Sequence, residues 1–244
     1  MKIAEKINLD YEGLIKHGPI TIVAFGDSVT HGAVDEGIID YDTVYWNRLR
    51  QKINAVRNYV PVNVINAGIG GITAAGSIER MDAQVFAHNP DLIIICFGLN
   101  DVNFELQEYS DALEEIFSKC NEKGVDTIFL TPNMLNTYVA LEPHERHYDY
   151  AHKTAEMQNS GKMDLFMNSA KEIAKKHNIT VCDCYAKWKE LSKTEDTTML
   201  LANKINHPTR EMHELFAQEL FDKIFDTKIV KTEAESTMFK EIKV

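Results

Sequence analysis

Five short apolar segments rich in Val and Ile recur along the chain and predict β-strands. They are Ile20–Phe25, Val62–Asn66, Leu92–Phe97, Thr127–Leu130 and Ile179–Cys182. Their apolar character is nearly continuous and does not alternate with polar residues, which is what strands covered on both faces require. The segments therefore predict a parallel sheet buried between helices.

An amphipathic pattern of helical period follows each predicted strand. The predicted helices are Thr43–Val56, Thr73–His88, Tyr109–Asn121, Ser160–His177 and Thr209–Phe225. In the fourth of these, Met163, Met167 and Ala170 share one helical face. Alternation of β and α segments along the whole length predicts a single domain over 1–244. The expected fold is a flavodoxin-like, doubly wound α/β/α sandwich of three layers, with five parallel strands in the order 2-1-3-4-5.

Two segments lie outside this alternation. Residues 134–159 are polar and rich in histidine, and we predict a lid-like insertion there because connections of this length are usually functional or disordered. The charged segment 227–244 is predicted to be a C-terminal tail, beyond a core that spans residues 20–226.

Composition narrows the class of protein and the kind of ligand. The chain has 244 residues, of which 44 % are hydrophobic and 26 % charged, values that exclude disordered, collagen-like and disulfide-scaffold proteins. The net charge of −11 argues against nucleic acid and anionic membranes as partners. The charged N-terminus, Met1–Gly13, does not resemble a signal peptide, and no apolar run is long enough to span a membrane. These features predict a cytoplasmic protein that binds a neutral or carbohydrate-like molecule.

Polar and glycine-rich sequences follow the first three predicted strands. They read GDSVT at 26–30, NAGIGG at 66–71 and GLND at 98–101. In a doubly wound sheet, ligands bind beyond the carboxyl ends of the strands, and the order 2-1-3-4-5 makes these loops neighbours. Ser28 would supply a nucleophile, while the N–H groups of Ser28 and Gly71 and the side-chain amide of Asn100 could bind an oxyanion. A nucleophile together with oxyanion-binding donors indicates an enzyme that catalyses acyl transfer.

A general base is needed beside this serine, and His207 is the best candidate. It lies between the fifth strand and the last helix, in a loop that opens at the same edge of the sheet, and Pro208 restricts its backbone to extended conformations. Asp27 and Asp101 adjoin candidate site residues. We expect both to hold the loops, because adjacent residues in a turn rarely point to the same place.

These four sequence blocks resemble those of the SGNH hydrolase superfamily, also called the GDSL lipase/esterase family. The blocks GDSVT, N-x-G-x-G-G, G-x-N-D and H-P occur in the family's order and at compatible spacing, and the match runs from Gly26 to about Phe225. The resemblance implies that Ser28 is the nucleophile and His207 the general base. It also implies that the Ser28 amide, Gly71 and Asn100 form the oxyanion hole. We further predict that neither a cofactor nor a metal takes part.

The chain departs from the family at one position. The family usually places an aspartate three residues before the histidine, and here that position holds Lys204. A lysine cannot accept a hydrogen bond from the histidine Nδ1–H. The side-chain oxygen of Asn203, that of Asn206 and a backbone carbonyl are the open alternatives. We predict a Ser-His dyad whose histidine has less carboxylate support than is usual.

Two other kinds of binding site fit the sequence less well. The segment 68–73 approaches a dinucleotide-binding motif, but Thr73 occupies the position of the last glycine. The histidines at 144, 147 and 152 match no tetrahedral metal-binding spacing. We therefore predict a serine esterase for a short acyl group, such as acetyl on a carbohydrate or small molecule. The alternatives are a thioesterase, a lysophospholipase, an acyltransferase or, because of Lys204, a catalytically silent binding protein. The sequence is compatible with a homo-oligomer as well as with a monomer.

Overall fold

A computed structural model describes residues 2–141 and 145–225. The strands are β1 (Ile20–Gly26), β2 (Ala33–Asp35), β3 (Ile38–Ile39), β4 (Val62–Gly68), β5 (Leu92–Cys96), β6 (Asp126–Leu130) and β7 (Thr180–Cys182). β2 and β3 form a small hairpin, and the other five strands form a parallel sheet in the order β4-β1-β5-β6-β7. Counted among those five strands, the order is 2-1-3-4-5, which confirms the predicted fold. Every residue of the central strand β5 is buried.

The register of the sheet brings three strand ends to one level. Gly26 at the end of β1 aligns with Gly68 of β4 on one side and with Cys96 of β5 on the other. Parallel strands that end together open their following loops at the same edge. The loops after β1, β4 and β5 therefore begin side by side.

Helices flank the sheet in two groups. The α-helices are α1 (Ile3–Lys6), α2 (Tyr11–His17), α3 (Ser28–His31), α4 (Tyr45–Val56), α5 (Met81–Gln84), α6 (Leu106–Lys123), α7 (Tyr148–Asn159), α8 (Lys162–Lys176), α9 (Cys184–Leu191) and α10 (His213–Phe225). Short 3-10 helices cover Ala75–Arg80, Phe86–His88, Asp101–Asn103 and Glu145–His147. α4 packs against α10, and α6 packs against α8. Within the described residues, one cluster of buried hydrophobic side chains extends from Ile3 to Phe225.

One predicted helix is wrong. The segment 73–88 consists of the 3-10 helix 75–80, the single turn α5 and the 3-10 helix 86–88. The hydroxyl of Thr73 accepts the Gly76 N–H at 3.1 Å, and the hydroxyl of Ser77 donates to the Thr73 carbonyl at 2.9 Å. Side chains that compete in this way for backbone groups disfavour a continuous α-helix.

The predicted insertion at 134–159 is partly integrated into the core. Leu135 is buried, and the Asn136 amide donates to the carbonyl of Ala151 in α7 at 2.8 Å. The lid-like behaviour of this segment stays a prediction, and the predicted tail at 227–244 lies outside the described residues. Among the residues that the structure describes, none of the helices combines the length and apolarity that crossing a bilayer requires.

Candidate active site

Ser28 is the first residue of the single-turn helix α3, directly beyond β1. The carboxylate of Asp27 caps this turn by accepting the Val29 N–H at 3.0 Å. Gly68 allows the turn to lie against the end of β4, because a Cβ on Gly68 would stand 2.3 Å from the backbone nitrogen of His31. The buried Ser28 is therefore held between two strand ends.

The loop after β4 passes beside Ser28. A Cβ on Gly70 would lie 4.0 Å from the Cβ of Ser28 and 3.8 Å from Nδ1 of His31. Gly71 has a φ of +78°, in the left-handed region that favours glycine. No side chain at Gly71 stands between its exposed backbone and the cavity that this residue lines.

The side chain of Asn100 is held by the same loop. Its Nδ2 donates one hydrogen to the Ile72 carbonyl at 3.0 Å, which leaves the second hydrogen of the amide for another acceptor. Asp101 connects the two loops, since its Oδ1 accepts the Ala74 N–H at 2.8 Å. The contacts of Asp27 and Asp101 are thus contacts to loop backbone.

His207 reaches Ser28 from the far end of the chain. Its Nε2 lies 3.0 Å from the Oγ of Ser28. The loop that carries it is organised by Asn203, whose Oδ1 accepts the N–H groups of residues 205, 206 and 207 at 3.1, 3.0 and 3.0 Å. Lys204 has a φ of +57°, a strained conformation for a lysine. This compact turn presents the imidazole to Ser28.

Neither asparagine accepts the Nδ1–H of His207. Asn203 Oδ1 is occupied by the three backbone groups, and Asn206 Oδ1 accepts Nδ2 of Asn203 at 2.9 Å. The expectation that Asn203 or Asn206 accepts the Nδ1–H of His207 is therefore wrong. The turn uses both side-chain oxygens for its own hydrogen bonds. The Nδ1 atom is buried and has no partner in hydrogen-bonding geometry among the described residues. Burial lowers the pKa of His207, and the backbone of Val34 and the charge of Asp35 oppose this effect in part.

A cavity of about 760 Å³ opens over these groups. Its floor includes Ser28, Gly71, Asn100 and His207. The β2–β3 hairpin forms one wall with Ala33, Asp35, Glu36, Gly37 and Ile39. The hydrophobic pattern of the chain did not predict this wall, although Gly37 lies between short apolar segments. Its φ of +68° is typical of a tight turn.

The hairpin is tied to two other parts of the site. Glu36 forms an ion pair with Arg146 and a hydrogen-bonding contact with His147, whose Nε2 lies 3.0 Å from the carboxylate. At the other end, Arg210 donates from Nε to Asp40 at 2.6 Å. Because Arg210 follows His207 by three residues, the base of the hairpin and the His207 loop are joined directly.

The chain is similar in sequence to known proteins. The sequence profile of the GDSL-like lipase/acylhydrolase family matches residues 24–215. The chain belongs to this family. It is 25 % identical over 184 residues to an acetylxylan esterase of Geobacillus stearothermophilus, covering 70 % of the chain and 76 % of that esterase. It is also 22 % identical over 226 residues to YqeF, an uncharacterized lipoprotein of Bacillus subtilis, covering 86 % of the chain and 90 % of the lipoprotein.

Solved structures share the fold of this GDSL-like hydrolase. A lipase/acylhydrolase from Enterococcus faecalis superposes with a TM-score of 0.66 at 22 % identity, covering 85 % of this chain and 96 % of the other. The acetylxylan esterase Axe2 of Geobacillus stearothermophilus superposes with a TM-score of 0.65 at 23 % identity, over 84 % and 94 % of the two chains. At this identity the likeness concerns the fold alone. It agrees with membership of the SGNH hydrolase superfamily.

Burial sets the charge state of the site. It lowers the pKa of His207 to about 4, so the imidazole is neutral at pH 7 and able to accept a proton. Burial raises the pKa of Asp27 to about 7 and that of Asp101 to about 6. Partial protonation of these carboxyls reduces the negative charge close to the position where an oxyanion would form.

We expect the acid limb of the kcat/KM profile of this GDSL-like hydrolase to lie near pH 4. A free histidine would place it near 6.5, but burial depresses the pKa of His207. The base therefore stays unprotonated between pH 4 and 6.5. Initial rates with a soluble ester from pH 3.5 to 8, corrected for folded protein by circular dichroism, measure the limb. A limb at 6 or above contradicts the expectation.

Proposed function

We propose that this hydrolase is a serine esterase that cleaves carboxylic esters through an acyl-enzyme on Ser28. The observation that carries the proposal is the 3.0 Å contact between Ser28 Oγ and His207 Nε2, two residues 179 positions apart in sequence. The distance lies within the range in which a base removes the proton of a nucleophile.

The first half of the proposed reaction acylates Ser28. His207 Nε2 takes the hydroxyl proton while Oγ attacks the ester carbonyl carbon and forms a tetrahedral intermediate. The N–H groups of Ser28 and Gly71 and the Nδ2 of Asn100 donate to its oxyanion. When the intermediate collapses, the ester C–O bond breaks and the imidazolium returns its proton to the leaving alcohol.

The second half releases the acid. His207 removes a proton from water, and the resulting hydroxide attacks the acyl carbon of Ser28. The same donors hold the second oxyanion. Collapse breaks the bond to Oγ, which recovers a proton from the imidazolium, and the carboxylic acid leaves. The proposed reaction steps need no cofactor, because His207 accepts and returns every proton that is transferred.

A short acyl group on a carbohydrate or small molecule is the proposed substrate. The similarity to the acetylxylan esterase of Geobacillus stearothermophilus supports an acetyl ester. The cavity of about 760 Å³ exceeds what an acetyl group needs and leaves room for a larger alcohol. Polar side chains on its walls, among them His31, Asp35 and Glu36, suit hydroxyl groups.

The net charge of −11 supports a further part of the proposal, which concerns partners. We propose that neither nucleic acid nor a membrane surface is the partner, because both are anionic. We also propose a cytoplasmic location.

An acyl chain-length series tests the substrate proposal. We expect kcat/KM for p-nitrophenyl esters to be highest for acetyl and to fall at least about tenfold by octanoyl, and acetylated xylo-oligosaccharides to be cleaved. Matched acetyl thioester and lysophospholipid substrates distinguish the two neighbouring activities. A maximum at long chains or on the thioester overturns the substrate proposal, and no turnover of any of them favours a silent binding protein.

A further inference from the structure

Two walls of the active-site cavity meet at an ion pair. The turn of the β2–β3 hairpin forms one wall, and the other is formed where the 3-10 helix Glu145–His147 leads into α7. The carboxylate of Glu36 in the hairpin turn forms an ion pair with Arg146 and lies 3.0 Å from Nε2 of His147. Glu36 and His147 both line the cavity whose floor contains Ser28. Their contact therefore joins the two walls of that cavity.

The exposure of these side chains places the contact at the rim of the cavity. The side chains of Glu36 and Arg146 are 52 % and 55 % exposed, whereas Ser28 on the floor is only 5 % exposed. A substrate that comes from solvent has to pass the rim before it reaches the hydroxyl group. The ion pair is therefore placed where it can restrict entry.

The hairpin is held at its base and exposed at its tip. Ala33 and Val34 are buried, but residues 35–39 are exposed to solvent. The hairpin forms a small sheet of its own, in which only the pairs Ala33–Ile39 and Asp35–Ile38 face each other. So short a sheet does little to fix its own turn. The position of the tip thus depends on the contacts that Glu36 makes.

The α7 wall is the fixed side of this arrangement. Asn136 donates from Nδ2 to the carbonyl of Ala151 at 2.8 Å, and both residues are buried. The hydroxyl of Tyr150, which lines the cavity, accepts a hydrogen bond from Nδ2 of Asn103 at 3.4 Å. These contacts fix α7 to the loops that follow β5 and β6. When the ion pair breaks, the hairpin tip is therefore the part that moves.

We propose that the ion pair between Glu36 and Arg146 is a strap that limits the size of the substrate that can reach Ser28. While the strap is formed, the walls are joined at the rim and only small esters enter. When it breaks, the hairpin tip moves away from α7 and bulkier esters enter. The inference rests on the proposed esterase function for its substrate. Glu36 and Arg146 are specificity-determining residues, since they act on entry and not on the reacting atoms.

An exposed ion pair suits a strap that opens readily. Water surrounds both charges, so the pair is worth little in free energy, and dissolved salt screens it further. The joined and open forms therefore differ in population by no more than about fivefold as a result of this pair. Salt and removal of the charge are expected to shift the population in the same direction, towards the open form.

A thiol in place of the Ser28 hydroxyl measures entry without ester hydrolysis. The variant Ser28→Cys carries this thiol on the cavity floor, and the natural cysteines at 96, 120, 182 and 184 are buried. Its alkylation rates with N-ethylmaleimide and with the larger N-(1-pyrenyl)maleimide, both uncharged, are compared. Adding Glu36→Gln should raise the ratio of the pyrenyl rate to the ethyl rate about two- to fivefold.

Salt and a matched variant separate the strap from a general effect of charge. Raising sodium chloride from about 0.02 M to about 0.5 M should raise the ratio in Ser28→Cys, but not after Glu36→Gln has already broken the pair. Glu219→Gln removes one carboxylate from another exposed ion pair, with Lys187 at 3.0 Å, and should leave the ratio unchanged. The inference is wrong if Glu36→Gln leaves the ratio unchanged, if Glu219→Gln raises it equally, or if salt acts equally with and without Glu36.

Hydrolysis rates then connect entry with the proposed esterase. In the protein that retains Ser28, Glu36→Gln should raise kcat/KM for acetylated xylotriose relative to methyl acetate by about two- to fivefold. If alkylation responds to Glu36→Gln but this ratio does not, the strap does not determine specificity and the inference is wrong. If neither ester is cleaved while alkylation responds as expected, the esterase proposal fails and the size limit at the rim stands.

Discussion

Replacement of Ser28 by alanine is expected to lower kcat for p-nitrophenyl acetate by about 10⁴-fold or more. The substitution removes the oxygen that lies 3.0 Å from His207 Nε2. The oxyanion donors remain, but no acyl-enzyme can form on alanine. Steady-state rates measured with purified protein, after subtraction of spontaneous hydrolysis, give the ratio.

A matched serine substitution controls for this result. Ser110 forms a hydroxyl pair with Ser169 at 3.0 Å between α6 and α8, and Ser110→Ala should retain the wild-type rate. A fluorophosphonate reagent should add one label to the peptide that contains Ser28 in the wild type and none in Ser28→Ala. If Ser28→Ala keeps more than about a tenth of the activity, the hydrolysis proceeds without this nucleophile and the proposed mechanism is wrong.

Asn100→Ala should produce the second largest loss, a decrease of about 10²- to 10³-fold in kcat with little change in KM. Its Nδ2 is held by the Ile72 carbonyl at 3.0 Å, with one hydrogen left to donate. A donor to the oxyanion acts on the transition state far more than on the bound ester, which is why kcat bears the loss. Steady-state kinetics with acetyl esters measure kcat and KM separately and so distinguish the two effects.

Asn121 offers a control of the same chemistry outside the site. Its Nδ2 donates to the His177 carbonyl at 2.9 Å, as that of Asn100 donates to Ile72. Both substitutions to alanine should cost about 1 kcal/mol of unfolding free energy, but only Asn100→Ala should lose activity. An increase in KM with unchanged kcat would instead assign Asn100 to ground-state binding.

The sheet was predictable because its strands are buried on both faces. Apolar segments such as Leu92–Phe97 can satisfy that requirement in few other ways, and the observed strand β5 falls within it. The segment 73–88 shows that hydrophobic periodicity alone does not predict a continuous α-helix. Its apolar residues repeat at helical spacing, but Thr73, Ser77 and Gly76 divert backbone hydrogen bonds into short turns.

The floor of the site was predictable for a related reason. Once the strand order is known, the carboxyl ends of neighbouring strands must lie together, so Ser28, Gly71 and Asn100 converge on one cavity. The hairpin wall was not predictable by pattern. Its strands contain three and two residues, too few to display an alternation, and its contacts join residues more than a hundred positions apart, such as Glu36 and His147.

The sequence by itself indicated the parallel sheet, because burial on both faces of a strand requires a nearly continuous apolar segment. Given the strand order 2-1-3-4-5, it also indicated which residues meet at the carboxyl edge of that sheet. It also showed that Lys204 cannot serve as the partner of His207. Only the tertiary structure decided that the side-chain oxygens of Asn203 and Asn206 are used within their own turn and that Nδ1 of His207 is buried without a hydrogen-bond partner among the described residues. These contacts depend on how the turn folds, which residue types alone do not show.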